Sequence, residues 1–339
     1  MPQALEQKLS VSLSPHVQSR DSVSSVMWAV NFALLPAMAV SVWSFGIRVL
    51  AIIAVSVITS VITEWAVTRF MFKRESTIAD GSAVLTGLLL SFNVPAGIPL
   101  WMVAAGALFA MGIGKMVFGG VGHNPFNPAL VGRAFMLASF PGDMATWPAR
   151  AESLLDWNVD AFSGATPLAQ LAEGGTAGLP GNMELFLGTI SGSAGEISAL
   201  AILIGGLYLL YKKIIGWETP VIFLGTLALF TGIFWIVDPT TYADPLFHLL
   251  AGGAMLGAWF MATDMVTSPM TFKGRVIYAA SAGLLTGIIR LFGAYPEGVS
   301  YAILIMNAFV PVIDKYVRPR RFGIKPVPVP APTAAGGEK

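Results

Sequence analysis

Long apolar runs separated by short polar loops set the pattern of this chain. Val23 to Phe45 and Ile47 to Phe70 each approach the roughly 20 residues that a helix needs to cross a hydrocarbon core. A shorter run, Ser82 to Val94, stops at Asn93-Val94-Pro95, and Pro99 to Phe118 is a fourth span. Gly119 to Asn127 is rich in glycine and asparagine, and Pro125 and Pro128 open another short run, Ala129 to Phe140. Short runs interrupted by glycine and proline fit broken helices that line a site better than lipid-facing spans. After one long polar insertion, Pro141 to Gly192, come Ser193 to Tyr211, Pro220 to Val237, Phe247 to Thr263, Val276 to Phe292 and Val299 to Ile313. The pattern predicts an all-α polytopic membrane protein with about ten transmembrane helices. It divides into an N-terminal arm (1–22), a first membrane repeat (23–140), an outer loop (141–192), a second membrane repeat (193–317) and a disordered tail (318–339). The tail is basic and then proline-rich, so it reads as extended chain.

Composition sharpens this. Of 339 residues, 55% are hydrophobic and only 12% charged, against about a quarter charged in soluble domains. A net charge of +1 gives no reason to expect nucleic acid. Cysteine is absent, which removes disulfides, thiolate-ligated iron–sulfur clusters and thiol nucleophiles together. His16, His123 and His248 are far apart and suggest no paired haem site. An electron carrier built on this chain would need an organic cofactor. Met1 to Arg20 lacks the apolar core of a cleaved signal peptide.

Charge also orients the helices. Arg69/Lys73/Arg74, Lys212/Lys213, Lys273/Arg275 and Lys315/Arg318/Arg320/Arg321 fall at alternate loops, which the positive-inside rule assigns to the cytoplasm with both termini. The acidic insertion then lies outside. The halves resemble each other weakly: Asn93 faces Asp264, Gly119 faces Gly293 and Ala134-Phe135 faces Ala308-Phe309. An odd number of helices per half makes the second repeat inverted relative to the first.

Four stretches carry candidate chemistry. Asp160-Ala161-Phe162-Ser163-Gly164-Ala165-Thr166-Pro167 lies in the insertion as a small-residue loop that leaves a secondary hydroxyl exposed, with Pro167 holding Thr166 extended. Asn124-Pro125-Phe126-Asn127-Pro128 sets two amides beside prolines, which suits a polar ring system or a cation, or else caps a broken helix. Asp264 with Thr263, Thr267 and Ser268 offers the oxygens a sodium ion prefers, or else ends a helix in water. Glu64 and Arg133 are ionisable at membrane depth, where charge is costly; Glu64 is expected to snorkel toward Arg69.

The octet resembles the recognition sequence at which a flavin transferase esterifies a threonine with FMN, Asp-(Ala/Gly)-x-(Ser/Thr)-Gly-Ala-Thr. Every fixed position is filled, from Asp160 through Ser163, Gly164 and Ala165 to the acceptor Thr166. With Asn124-Pro-Phe-Asn-Pro-Ala, Met261-Ala-Thr-Asp and Lys273-Gly-Arg, the chain resembles the family of the D subunit of the Rnf electron-transport complex. That family is shared with the B subunit of the sodium-pumping NADH:quinone reductase. First-span onset near Val23 favours the Rnf branch; Met265 stands where the family usually has proline. The resemblance implies a urea-transporter-like fold of two inverted five-helix repeats with broken helices. It also implies covalent FMN on Thr166, a second non-covalent flavin of the riboflavin type, and other membrane and peripheral subunits as partners. The function implied is electron transfer between ferredoxin and NAD coupled to sodium ions or protons, in a bacterial inner membrane. Two rivals remain on the residues alone, a solute channel of the same architecture and a purely structural anchor; bound flavin separates either from an electron carrier.

Overall fold

The computed structural model describes residues 22–75, 77–148, 151, 153–155, 157, 166–174, 176, 178–190, 192–293 and 297–318. It begins with α1 (Val23–Ala33) and α2 (Leu35–Phe45), which form one span jointed at Leu34, ahead of Pro36. Ser22 opens it with a reciprocal cap, its hydroxyl accepting from Ser25 N–H while the Ser25 hydroxyl accepts from Ser22 N–H. The second span is α3 (Arg48–Ala66), which widens into a π-helical turn, Val67–Phe72, and ends at the left-handed Lys73. Then follow α4 (Ser82–Phe92), α5 (Leu100–Gly112) and α6 (Pro128–Ser139). The insertion, expected as loop, carries three short helices: α7 (Pro141–Met144), α8 (Pro167–Gly174) and α9 (Asn182–Leu187). The second half is α10 (Ala199–Tyr211), α11 (Glu218–Val237), α12 (Pro245–Leu250), α13 (Ala254–Leu256), α14 (Phe272–Phe292) and α15 (Val299–Tyr316).

Six helical stretches are long and apolar enough to span a membrane: Val23–Phe45, Arg48–Phe72, Leu100–Phe118, Glu218–Val237, Phe272–Phe292 and Val299–Tyr316. Three more, Ser82–Phe92, Pro128–Ser139 and Ala199–Tyr211, are apolar but short. The expected span from Phe247 is broken into α12, α13 and a π-helical turn, Gly257–Met261. The chain is therefore an all-α, multi-pass membrane protein. Among the described residues the only extended pairing is one antiparallel bridge between Pro95 and Ser193. There the chain beyond α4 meets the chain before α10, and Ala194 and Gly195 N–H groups reach the Val94 and Phe92 carbonyls. The Ser41 hydroxyl donates to the Ala194 carbonyl, so α2 satisfies this non-helical backbone as well.

One apolar core runs through both halves, from Ala33 and Leu34 through Phe92, Phe223 and Trp259 to Ile313. Lipid itself is apolar, so helices here associate by close packing rather than by escape from water. The most extensive helix–helix contacts are α11 with α14 and α3 with α4 and α5. A methyl group on Gly283 would overlap the Phe223 carbonyl, which shows how nearly the α11 and α14 backbones touch. Large apolar side chains left outside, such as Ile58, Ile62, Leu229 and Ile236, line the faces of long spans.

Candidate functional site

At one end of the molecule Thr166 begins α8. Its side-chain oxygen accepts from Ala169 N–H at 3.2 Å and its carbonyl from Gln170 N–H at 2.9 Å. Threonine before a proline at the first helical position is a strong helix start, because proline's missing N–H has no partner to lose there. The expected exposed hydroxyl is thus corrected: Thr166 is 4% exposed and acts as a helix cap. Asp160, Ser163, Gly164 and Ala165 lie outside the described residues. Leu168 anchors α8 in a small apolar cluster with Leu185, Ala243, Phe247 and Ala251. Its side chain rests on Gly252, where an added Cβ would overlap it. Gly252 and Gly253 both take left-handed conformations, φ 59° and 67°, which carry the chain from α12 into α13.

Below that turn lies a buried cluster of charges that the sequence reading did not assemble. Arg133 on α6 donates to Asn93 Oδ1 at 2.6 Å, pairs with Glu297, and lies 4.0 Å from Glu196. Arg290 on α14 donates to the His248 carbonyl and, through Nη2, to the Ala251 and Gly252 carbonyls at 2.9 and 2.7 Å. It thereby satisfies acceptors freed where α12 ends. Arg133 does the same service for the first half: Asn93, which also donates to Leu89 O at 2.6 Å, ends α4. Asn93, matched to Asp264 across the two halves, has Arg133 as its side-chain partner.

At the other end, where α1, α4 and α6 begin and α10 stops, a cleft holds a cavity of about 80 Å³ within about 770 Å³ of empty space. Its walls include Leu85, Leu89, Leu209, Ile214, Ile215 and Phe260, and its polar lining includes Asn124, Asn127, Lys115, Thr263 and Asp264. Both stretches singled out in the sequence therefore converge on one space. Their side chains are largely committed, however. Asn127 caps α6, accepting from Ala129 and Leu130 N–H at 3.1 and 3.4 Å, and its amide donates to Met261 O at 3.5 Å. Asn124 donates to Phe126 O at 3.0 Å. Asp264 accepts from the Thr267 hydroxyl at 3.0 Å and from Val266 N–H at 3.3 Å, while Thr263 donates back to Trp259 O at 2.7 Å. Helix capping is the local role of Asn127, and Asp264 closes a turn. Among the described residues no three His, Asp or Glu side chains gather as a metal site.

Glu64 does not reach toward Arg69 for its partner. It is 1% exposed and pairs with Lys115 at 2.8 Å, while accepting from the Thr77 hydroxyl at 2.6 Å. Lys115 also donates to the Ser82 hydroxyl at 2.7 Å. A carboxylate in the membrane interior takes a buried ammonium in reach over a distant snorkelling one, because the uncompensated charge costs several kcal/mol, on the order of the desolvation penalty. Lys115 was missed; the signal was a lone lysine within the fourth span.

Residues 10–323 match the family described as NQR2, RnfD, RnfE. The chain is 48% identical to the D subunit of the proton-translocating ferredoxin:NAD(+) oxidoreductase complex of Clostridium ljungdahlii, over 93% of this chain and 96% of that one. It is equally, 48%, identical to the D subunit of the Na(+)-translocating ferredoxin:NAD(+) oxidoreductase complex of Acetobacterium woodii, over 94% and 96%. To the D subunit of the ion-translocating oxidoreductase complex of Alcanivorax borkumensis it is 40% identical, over 94% and 97%. With the match covering both membrane halves and the Thr166 segment between them, this chain belongs to the NQR2, RnfD, RnfE family.

Proposed function

We propose that this chain is the membrane subunit of an ion-translocating ferredoxin:NAD oxidoreductase complex and carries FMN esterified to Thr166. The observation that supports this best is the position of Thr166. The hydroxyl that completes the transferase motif is also the cap of α8, so its oxygen already faces a main-chain N–H donor, that of Ala169. A phosphodiester formed there keeps an oxygen for the Ala169 N–H and gains the positive end of a helix, which favours an anion. Leu168, seated on Gly252, fixes the helix that presents it. Bound FMN would supply one- and two-electron chemistry; position and charge are the protein's share. Because Thr166 is buried, esterification is expected before α8 seats on the membrane domain.

The cleft at the opposite end suits a second, non-covalent flavin of the riboflavin type: apolar walls for the ring faces, with Asn124, Lys115 and Asp264 at its polar edge. A tricyclic ring is larger than the cavity as it stands, so Leu and Ile side chains must turn aside for it. Asp264 and Thr263 are the groups proposed to handle sodium ions or protons on that side. Two relatives at equal identity are named for different ions, so overall similarity does not choose between them. The charge alternation supports an orientation with the termini in the cytoplasm of a bacterial cell and the Thr166 loop outside the inner membrane, where partner subunits and a flavin transferase would meet it.

The test is co-expression with a flavin transferase, followed by intact-mass analysis and in-gel fluorescence of wild type, Ser163→Ala, Thr166→Ser and Thr166→Ala. Wild type should carry an FMN-phosphoryl increment, Thr166→Ser part of it and Thr166→Ala none; an increment persisting in Thr166→Ala overturns the assignment. A reporter inserted near Glu173 should read outside, and a cytoplasmic signal there overturns the orientation.

A further inference from the structure

Glu196 is the acid of the buried cluster with no close charged donor. Its side chain is 4% exposed, and neither carboxylate oxygen has a hydrogen-bond partner among the described residues. The groups that face it come from every neighbouring element: Arg133 on α6 at 4.0 Å, Arg290 on α14, Glu297 ahead of α15, and Ser193 in its own extended segment. His248 of α12 lies just beyond, joined to Arg290 through its carbonyl, and neither ring nitrogen has a partner among the described residues. The terminal guanidinium nitrogens are engaged elsewhere, Arg133 with Asn93 and Glu297, and Arg290 with main-chain carbonyls, and the Nε–H of each reaches no acceptor, Glu196 included, among the described residues. A full charge on Glu196 therefore has the adjacent Ser193 hydroxyl and guanidinium charge at 4.0 Å, fewer close donors than a buried carboxylate needs.

The approach is nevertheless built in. A Cβ on Gly253 would overlap Glu196 Oε2, so glycine at that point is what admits the carboxylate. The adjacent Gly252 receives Leu168, two residues from Thr166. One two-residue turn thus separates the flavin-bearing helix from this carboxylate.

We propose that Glu196 is an exchangeable proton site, taking H⁺ from water to become a neutral carboxylic acid and releasing it as the carboxylate. A proton fits better than a metal cation. Protonation removes the uncompensated charge, whereas a fixed cation would sit among two guanidinium groups that repel it. The redox half of the idea rests on the Thr166 reading above. Negative charge arriving on a flavin at Thr166 raises the proton affinity of a carboxylate across the Gly252–Gly253 turn. Reduction then draws one proton onto Glu196, and the only bond formed there is the carboxyl O–H.

The experiment is infrared difference spectroscopy of the purified complex containing the full chain, first as a pH step with no redox change, then as reduction by dithionite. Wild type should show a protonated-carboxyl C=O band in both, shifting in D₂O. Glu196→Gln should lose that band, Glu196→Asp should move it, and the exposed Glu173→Gln should leave it in place. In Thr166→Ala the pH-step band should remain while its reduction-induced part disappears. A band unchanged in Glu196→Gln, or unshifted in Glu196→Asp should the glutamine variant fail to assemble, overturns the proposal. So does a band that follows sodium concentration rather than pH. Loss of only the reduction-induced part in wild type counts against the Thr166 reading and leaves Glu196 standing.

Discussion

The two ends of the molecule use polar groups in opposite ways. Around Arg133, Arg290, Glu196 and Glu297 the terminal guanidinium nitrogens are spent on holding the broken helices together. Around Asn124, Asn127 and Asp264 there is a cleft, yet the polar groups mostly satisfy their own backbone. Non-helical backbone at membrane depth is tolerated only where something replaces water for it. At the Thr166 end that replacement is charged side chains; at the cleft end it is neighbouring caps and turns, which leave room for a ligand. The same need, met by different chemistry, gives a rigid platform at one end and an adaptable pocket at the other.

Removing Thr166 breaks the contrast most completely. Thr166→Ala should abolish covalent flavin and electron transfer through the complex, and should also lose the α8 cap, for about 0.5–2 kcal/mol of local stability. Proteolysis within 158–176 should therefore quicken in Thr166→Ala but not in Thr166→Ser, which keeps a capping oxygen. Equal protection of both variants would remove Thr166 from its capping role.

The platform is the next target. Arg133→Met strips the partner from Glu297 and the donor from Asn93, and should destabilise the protein by about 3–5 kcal/mol, the range for breaking a buried pair. A melting temperature in detergent unchanged from wild type would show that Arg133 does not hold the two halves together. At the cleft, Lys115→Met should do similar damage by stranding Glu64, and Glu64→Gln in the same chain should recover much of it, by removing the stranded charge. No recovery in the double variant would mean that Lys115 acts through Ser82 instead.

Asp264→Asn should cost less than about 1 kcal/mol, since the amide Oδ1 still accepts from Val266 N–H and the Thr267 hydroxyl can turn to accept from the new Nδ2 group. Ion dependence of electron transfer should nevertheless fall; an unchanged dependence returns Asp264 to its turn-closing role alone. The smallest effect belongs to the Asp238 turn beyond α11. Hydrogen bonds, the Thr240 side chain first and then Thr241, hold its carboxyl down to about 2 from an ordinary 3.8. The group is more acidic folded than unfolded, so its contribution is complete above pH 3.8 and lost as pH falls through about 2. Asp238→Asn should flatten acid sensitivity of proteolysis in the 238–244 loop without touching the membrane core.

Asp160 to Thr166, Asn124, Asn127 and Asp264 could all be read as candidates from residue type and spacing, because motif chemistry is local. One helix start was equally legible: Asn127-Pro128 is a cap written in adjacent residues, whereas Thr166-Pro167 reads as extended loop until α8 is seen to follow it. The apolar runs, set by bilayer thickness, determined the spans and the all-α class. What the chain in one dimension could not show was pairing across it. Glu64 with Lys115, Arg133 with Glu297, and Arg290 beneath the turn at Gly252 are separated by many residues, and each pairing was chosen by which charges packing left in reach. The burial of Thr166 was decided the same way, by Leu168 finding its seat on Gly252. Local rules fix where a helix begins and what its residues can do; only the assembled membrane domain fixes which of them meet, because a charge inside it must take whatever partner the fold brings within hydrogen-bond distance.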